Sequence, residues 1–214
     1  MKIYPLVYQR CLLMLGFKLT VLFDRYNVEY ITCGGTLLGQ IRHKGLLLHD
    51  YDVDYEVVYS STKKFFELVQ FVDDHPEYGL KSSWHLPHMV KFVPLTTPEI
   101  FHKINFSRPG VPSPTVDVFL TEPRPGGGMQ LVQSRWPNWY YLPGEVYPIV
   151  KREFSGQLWA SPNNATAILR RYYGATYMVP KFYKWPKNHP IKDKCGPPSG
   201  TTSSPIQTKT RSTP

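Results

Sequence analysis

Acidic side chains occupy every second position in residues 50–56, and apolar or aromatic side chains occupy the positions between them. Alternate residues of an extended strand face the same side, so these acids share one face. The four acids are Asp50, Asp52, Asp54 and Glu56. Like charges at this spacing destabilise a strand unless water or a cation offsets them. Because hard divalent cations bind carboxylate oxygens, the pattern indicates either a metal site or a solvated acidic face.

A third carboxylate on a separate strand would complete such a metal site. Asp117 lies in the middle of the β-rich residues 115–120. An acid is expected at such a position only where its face of the strand is polar or binds a ligand. Asp117 is therefore a candidate metal ligand, and the alternative is an outward-facing residue of an alternating strand.

A glycine pair lies shortly before the acidic segment. Gly34 and Gly35 follow the β-rich residues 28–33 and precede Thr36, which can cap a short helix. A helix start offers free backbone N–H groups and the positive end of the helix dipole, and both favour phosphate binding. Alone, a glycine pair more often only forms a turn. Beside an acidic strand it indicates phosphoryl transfer, which needs donors for phosphate oxygens and a metal that offsets charge.

Hydrophobic periodicity divides the rest of the chain into helices and strands. It predicts helices over residues 6–26, from Ser60 or Ser61 to about Asp74, and from Ser161 as the N-cap to Gly174. It predicts strands over residues 28–33, 47–58, 80–84, 89–93 and 115–120. Residues 124–144 are interpreted as a long ordered loop, because their aromatic side chains would not remain in water. The pattern fits a globular mixed α/β or α+β protein.

Length and charge distribution indicate one domain followed by a tail. The 214 residues are 42% hydrophobic, which suits one sizeable core. We predict an N-terminal helix at 1–26 that packs on the core, a domain at 27–189, and a disordered basic tail at 190–214. The net charge is +9, but residues 181–214 hold seven Lys or Arg and one acid. The folded part is thus only mildly basic, which disfavours a nucleic-acid partner.

Other classes of protein are disfavoured by smaller features. The cysteines are scattered and include no CxxC pair, so neither a disulfide framework nor a zinc site is expected. The apolar residues 11–23 are interrupted by Lys18, and we predict neither a transmembrane segment nor a signal peptide there. Sequons at Asn105 and Asn164 would be glycosylation acceptors in a lumen. Compartment and oligomeric state stay open.

The central motifs resemble the LicD family, which contains bacterial phosphocholine transferases, fukutin and fukutin-related protein. The matching segments are GGTLLGQIRHKG at residues 34–45, DYDVD at 50–54, VDVF at 116–119, SPNN at 161–164 and YG at 173–174. The resemblance implies an α+β, nucleotidyltransferase-like fold with a mixed central β-sheet flanked by helices. It also implies that Asp52, Asp54 and Asp117 are the catalytic residues and bind Mg²⁺, or alternatively Mn²⁺, with Asp50 in a supporting role.

The resemblance further implies a substrate class. It predicts transfer of phosphocholine, or of a phospho-alditol such as ribitol phosphate, from a CDP-linked donor to a glycan or glycoprotein acceptor. The implied donor contacts are Gly34, Gly35 and Thr36 at the phosphates, with Arg42, His43 and Lys44 on the donor side. The location would be the Golgi or secretory lumen in a eukaryote and the cytoplasm in a bacterium. His49 replaces a Trp that is common in the family, which leaves the shape of the donor pocket open.

Two other functions fit the same residues. A nucleotidyltransferase would use the same carboxylates to add a nucleoside monophosphate to an acceptor, and it would release pyrophosphate instead of CMP. A non-catalytic glycan-binding accessory protein is the third hypothesis. The presence of all three aspartates speaks against it, because a repulsive cluster lowers stability without a compensating function.

Overall fold

The computed structural model describes residues 3–86, 88–95, 113–132 and 138–180. Within these residues the helices are α1 Leu6–Arg25, α2 Gly34–His43, α3 Thr62–Asp74 and α4 Ala165–Tyr173. The strands are β1 Tyr30–Thr32, β2 Asp52–Val57, β3 Leu80–Leu86, β4 Met89–Pro94, β5 Thr115–Pro123, β6 Met129–Leu131, β7 Tyr140–Tyr141, β8 Val150–Phe154 and β9 Gln157–Ser161. The predicted tail at 190–214 lies outside the described residues.

Seven of the described strands form a mixed sheet with both acidic strands at its centre. The order is β1-β2-β5-β4-β3, and β6 pairs with β5 and β7. β2 and β5 are parallel, whereas the β1–β2, β4–β5 and β3–β4 pairs are antiparallel. A parallel pair needs a long crossover, and the segment that contains α3, β3 and β4 supplies it. The predicted α+β fold with a mixed central sheet flanked by helices is confirmed.

The apolar face of β2 packs on α1 and forms the main core. Phe23 of α1 contacts Tyr30 and Tyr55, with ring centroids 4.4 Å and 5.6 Å away respectively. The alternate residues Val53, Tyr55 and Val57 are fully buried in the same cluster. Period-two burial is therefore the reason that the acids of β2 face the opposite side of the sheet.

Helix α1 has the length and apolar composition of a membrane-crossing helix, with a mean hydropathy of 1.5. Half of that apolar window is buried inside the protein. Its buried residues include Tyr8, Leu12, Leu19 and Phe23, which belong to the main core. A core helix passes the same test of length and composition, so this is weak support for a membrane span.

Two of the predicted helix N-caps, Thr36 and Ser161, are wrong. Helix α2 begins at Gly34, where φ is +52°, and the N-cap residue Cys33 makes no side-chain capping bond. Thr36 therefore lies inside the helix instead of capping it. Ser161 ends β9, and Asn164 is the N-cap of α4, with its side-chain oxygen accepting a hydrogen bond from the Ala167 N–H. Both caps differ because neighbouring strands determine where the chain leaves the sheet.

Two further parts of the sheet structure were absent from the sequence prediction. Residues 124–144 include β6 and β7, which extend the sheet beyond β5. Strands β8 and β9 form a separate antiparallel hairpin, in which Trp159 is 1% exposed. Strands β6 and β7 are only three and two residues long, and β8 carries three charged side chains, so periodicity alone does not identify these segments.

Candidate functional site

Three carboxylates meet where β2 and β5 lie side by side. In the parallel register Asp54 is paired with Asp117, and Asp52 lies two residues earlier on the same face of β2. One carboxylate oxygen from each residue lies within 4.8 Å of the other two. That separation is close to the span of oxygen ligands around one divalent ion, whose bonds are roughly 2.0–2.6 Å long. The arrangement is therefore compatible with a divalent metal.

Burial and mutual repulsion make Asp52 and Asp54 hard to ionise. Burial, followed by the charge of Asp117, raises the pKa of Asp52 to about 6. Burial, followed by the charge of Asp52, also raises the pKa of Asp54 well above its ordinary range. Asp117 Oδ1 is buried and makes no hydrogen bond to any described residue. A crowded set of this kind fits a cation, because a bound ion offsets the repulsion and replaces the lost hydration.

A lysine on the next strand faces the same cluster. The antiparallel register places Lys91 of β4 opposite Asp117, and its Nζ lies 2.5 Å from Asp117 Oδ2. Burial and repulsion raise the pKa of Asp52 and of Asp54, and the positive charge of Lys91 offsets part of this rise. Sequence reasoning did not select Lys91. Its position between the apolar Val90 and Phe92 was a signal that it lies on the polar face of its strand.

The carboxylates line a cavity of about 520 Å³. Its wall includes the start of α2, the end of β3 and several aromatic side chains. These lining residues include Gly34, Gly35, His49, Tyr51, His85, Leu86, Phe119, Trp139 and Tyr173. An irregularity in the pairing of β3 with β4, between Trp84 and Leu86, adjoins His85. A cavity of this size accommodates a small organic ligand, for which sites of about 300–1,000 Å³ are typical.

Close approach of two carboxylates explains the glycine pair at the start of α2. A Cβ atom on Gly34 would lie 2.9 Å from Asp54 Oδ2, and one on Gly35 would lie 2.4 Å from Asp50 Oδ2. Burial, followed by the charge of Asp52, raises the pKa of Asp50 to about 7. Asp50 precedes β2 and lies beside the three-carboxylate cluster, of which it is not a member.

Thr36 does not line the cavity, and its side chain forms a hydrogen bond within the fold instead. It is 1% exposed, and its hydroxyl accepts a hydrogen bond from the Asp54 N–H at 2.9 Å. The Cys33 N–H in turn donates to the Asp54 carbonyl at 3.2 Å. These two bonds attach the start of α2 to β2 and so hold Asp54 in place beside the glycine pair.

The other three predicted donor contacts are also absent from the described cavity wall. Arg42 donates a hydrogen bond to the Tyr177 carbonyl. A ring nitrogen of His43 lies 2.9 Å from a carbonyl of the loop after α2. Lys44 is exposed and forms an ion pair with Glu153 of β8 at 2.8 Å. The contact of these residues with a donor therefore stays a prediction.

Glu56, the last acid of the alternating segment, supports the cavity wall from inside the protein. It is fully buried, and the indole Nε1 of Trp139 donates to Glu56 Oε1 at 2.7 Å. Burial raises the pKa of Glu56 to about 7, and the Trp139 hydrogen bond opposes this shift. Trp139 also stacks on Tyr172, with ring centroids 4.6 Å apart. The solvated acidic face considered for this segment is therefore wrong at Glu56.

The raised pKa of Asp52 predicts a specific pH dependence of stability. Its carboxyl binds a proton more tightly in the folded state, so its contribution to stability is fully present below pH 3.8 and is lost as the pH rises through about 6. Asp52→Asn removes this dependence. In EDTA, the melting temperature of Asp52→Asn relative to that of the wild type should therefore rise between about pH 4 and pH 7. A relative fall over that range would contradict the proposed repulsion.

Comparison with known proteins assigns most of the chain to one family model. Residues 27–164 match the model described as LicD/FKTN/FKRP, nucleotidyltransferase domain. The lipopolysaccharide cholinephosphotransferase LicD of Haemophilus influenzae is 36% identical over 62 residues, which cover 29% of this chain and 23% of that protein. An uncharacterized protein of Rickettsia typhi is 22% identical over 152 residues, covering 71% of this chain and 42% of that protein. The chain thus matches less than half the length of either relative.

Three solved structures resemble this chain in fold at low sequence identity. The lincosamide antibiotic adenylyltransferase LnuA, with lincomycin bound, has a TM-score of 0.45 and 13% identity, covering 77% of this chain and 94% of that chain. The ANT(2")-Ia complex with adenylyl-2"-tobramycin has a TM-score of 0.44 and 12% identity, covering 78% of this chain and 77% of that chain. The solution structure of ANT(2'')-Ia has a TM-score of 0.45 and 10% identity, covering 72% of this chain and 66% of that chain.

Proposed function

Because the chain belongs to the LicD/FKTN/FKRP family, as its motifs predicted, we propose that it is a Mg²⁺-dependent phosphotransferase acting in glycan modification. It transfers phosphocholine, or a phospho-alditol such as ribitol phosphate, from a CDP-linked donor to a glycan acceptor. The observation that supports this most directly is the set of three carboxylates within 4.8 Å, beside the glycine start of α2. Phosphoryl transfer needs a metal site and backbone donors in the same cavity.

The residues of the cavity divide between binding the donor and stabilising the transferred group. Gly34 and Gly35 lie at the start of α2, where free N–H groups and the helix dipole favour the diphosphate. Asp52, Asp54 and Asp117 would hold the metal. When bound, the ion offsets negative charge on the phosphate oxygens.

Transfer itself is a displacement at one phosphorus atom. The acceptor hydroxyl oxygen attacks the phosphorus that carries the choline or alditol, and a new O–P bond forms. The bond from this phosphorus to the bridging oxygen of the diphosphate breaks, and CMP leaves with the electron pair. The hydroxyl proton passes to solvent. The chain contributes mainly position and charge, as is usual for phosphoryl transfer.

The donor class is tested by thermal stabilisation with CDP-choline, CDP-ribitol and CDP-glycerol. A ligand that binds only the folded state stabilises it by mass action, by about 2.7 kcal/mol at one hundred times its Kd. We expect at least one donor to raise the melting temperature in Mg²⁺ and to lose most of this effect in EDTA. Free choline, ribitol and glycerol serve as controls, because they lack the diphosphate that the site is proposed to bind.

Product analysis separates the competing functions. Transfer from a CDP-linked donor releases CMP, whereas a nucleotidyltransferase releases pyrophosphate from a nucleoside triphosphate. Pyrophosphate release with ATP or CTP, together with no CMP from any CDP-linked donor, would favour the nucleotidyltransferase. Binding of a glycan with neither product formed would favour the accessory protein.

A further inference from the structure

We propose that Lys91 binds the phosphate group that is transferred, and that Asp117 releases it for this role when Asp117 binds a divalent ion. The inference rests on the proposed function, and it adds one substrate-binding residue to that site. It begins from the ion pair between Lys91 Nζ and Asp117 Oδ2, at 2.5 Å. Both residues of this pair line the cavity that contains the acidic cluster.

Strand geometry fixes which way Lys91 faces. Its neighbours Val90 and Phe92 are fully buried in the main core on the opposite face of the sheet. Period-two alternation therefore directs Lys91 toward the carboxylates. The Lys91 side chain keeps 22% of its exposure, against 7% for that of Asp117. The ammonium group thus lies at the boundary between the buried carboxylate and the space that a ligand would occupy.

Charge makes Lys91 the natural partner of an anionic donor. Among the lining residues that the structure describes, it is the only Lys or Arg. The same wall carries Asp50, Asp52, Asp54 and Asp117. A diphosphate entering this cavity meets strong repulsion unless positive charge faces it, and a Lys ammonium is a well-attested phosphate binder. Of the described side chains, Lys91 is best placed to supply that charge.

Exchange of partners at Asp117 explains how Lys91 can pair with Asp117 in the metal-free protein and bind phosphate in the metal-bound protein. Oδ2 of Asp117 is paired with Lys91, while Oδ1 is buried and makes no hydrogen bond to any described residue. Binding an ion to this carboxylate weakens its attraction for the ammonium, because the two cations compete for one negative charge and repel each other. The four-carbon stem of lysine lets the ammonium turn toward a phosphate without backbone movement. Asp117 then binds the ion, and Lys91 binds the phosphate.

The alternative is that Lys91 only neutralises Asp117 and has no contact with substrate. Both hypotheses expect the metal-free protein to be less stable without Lys91, so a melting curve alone does not distinguish them. They differ in the binding of phosphate. Contact with the donor predicts weaker nucleotide binding and slower transfer after its removal, whereas simple neutralisation predicts neither once an ion is bound.

The test compares Lys91→Met with Lys91→Arg and with the control variant Lys64→Met. Lys64 is an exposed residue of α3, and among its described contacts it donates a hydrogen bond only to the Asn27 carbonyl. Mn²⁺ affinity is measured without nucleotide by electron paramagnetic resonance. Lys91→Met should bind Mn²⁺ about tenfold more tightly, because the competing charge is gone. At saturating Mn²⁺ it should bind CDP about tenfold more weakly and transfer at least about a hundredfold more slowly. Lys91→Arg should recover a large part of both losses, and Lys64→Met should match the wild type.

Each result supports or overturns a separate step. Unchanged or weaker Mn²⁺ binding by Lys91→Met would show that Lys91 does not compete for the carboxylates. Tighter Mn²⁺ binding with normal CDP binding and turnover would show that Lys91 only neutralises Asp117. If the wild type transfers nothing from any CDP-linked donor, the proposed function is wrong, while Mn²⁺ and CDP binding still decide the role of Lys91. If Lys91→Met does not fold, Lys91→Gln replaces it in the same measurements.

Discussion

Replacement of Asp52, Asp54 or Asp117 by Asn is expected to lower Mg²⁺-dependent transfer by about a thousandfold or more, with the fold intact. The three residues supply one oxygen each to a cluster within 4.8 Å, to which no fourth described carboxylate belongs. An Asn keeps the shape of the side chain but lacks its charge. It therefore weakens the binding of a hard divalent cation much more than it disturbs packing.

Stability should change in the opposite direction from activity. Burial and repulsion raise the pKa of Asp52 and of Asp54, so an ionised cluster destabilises the metal-free fold. Removing the charge of Asp52 or Asp54 relieves this repulsion, so the melting temperature of either variant in EDTA should hold or rise slightly, whereas Asp117→Asn also removes the ion pair with Lys91. Added Mg²⁺ should stabilise the wild type more than any of the three variants.

The experiment measures transfer and melting, with and without Mg²⁺, for the three variants and for Asp50→Asn. Asp50 lines the same cavity but lies outside the three-carboxylate cluster, which makes it a matched control. Its replacement should be milder, because its expected role is to support the ligands. Near-normal transfer by Asp117→Asn would contradict the proposal that the three carboxylates form one metal site.

Replacement of Trp159 by Ala is expected to lower the free energy of unfolding by about 3–5 kcal/mol, the usual range for a buried large aromatic residue. Trp159 is 1% exposed, and its ring centroid lies 4.4 Å from that of Phe154 and 5.6 Å from that of Tyr55. A Cβ atom on Gly16 of α1 would lie 2.6 Å from Trp159 Cη2. The indole therefore fills the space between α1, β2 and the β8–β9 hairpin, and its removal leaves a large cavity.

The adjacent residue provides the control. Leu158 lies on the same strand but is 67% exposed, so Leu158→Ala should change the free energy of unfolding by no more than about 0.5 kcal/mol. Urea unfolding followed by circular dichroism gives both values under one condition. Equal effects of the two replacements would show that the hairpin does not bury Trp159 as described.

Local sequence patterns were sufficient for most of the elements. The period-two alternation around Asp52 and Asp54 predicted a strand with one acidic and one apolar face, and Val53 and Tyr55 are buried as that pattern requires. Apolar spacing also predicted α1 and α3, because a helical face depends on residues three and four positions apart. The helix after the glycine pair was predicted as well, although its start was misplaced because a left-handed φ at Gly34 begins it.

The amino-acid sequence by itself thus determined the acidic strand, the glycine pair and Asp117 as separate candidates, since each is visible within a few neighbouring residues. Only the tertiary structure decided that Asp54 lies beside Asp117, because the parallel pairing of β2 with β5 joins segments that are distant in the chain. The same long-range pairing brought Lys91 to the cluster. Likewise, only the tertiary structure shows that Lys44 lies beside Glu153 of the β8–β9 hairpin. Local periodicity specifies which residues share a face, whereas strand order and register specify which faces meet, and these depend on packing of the whole core.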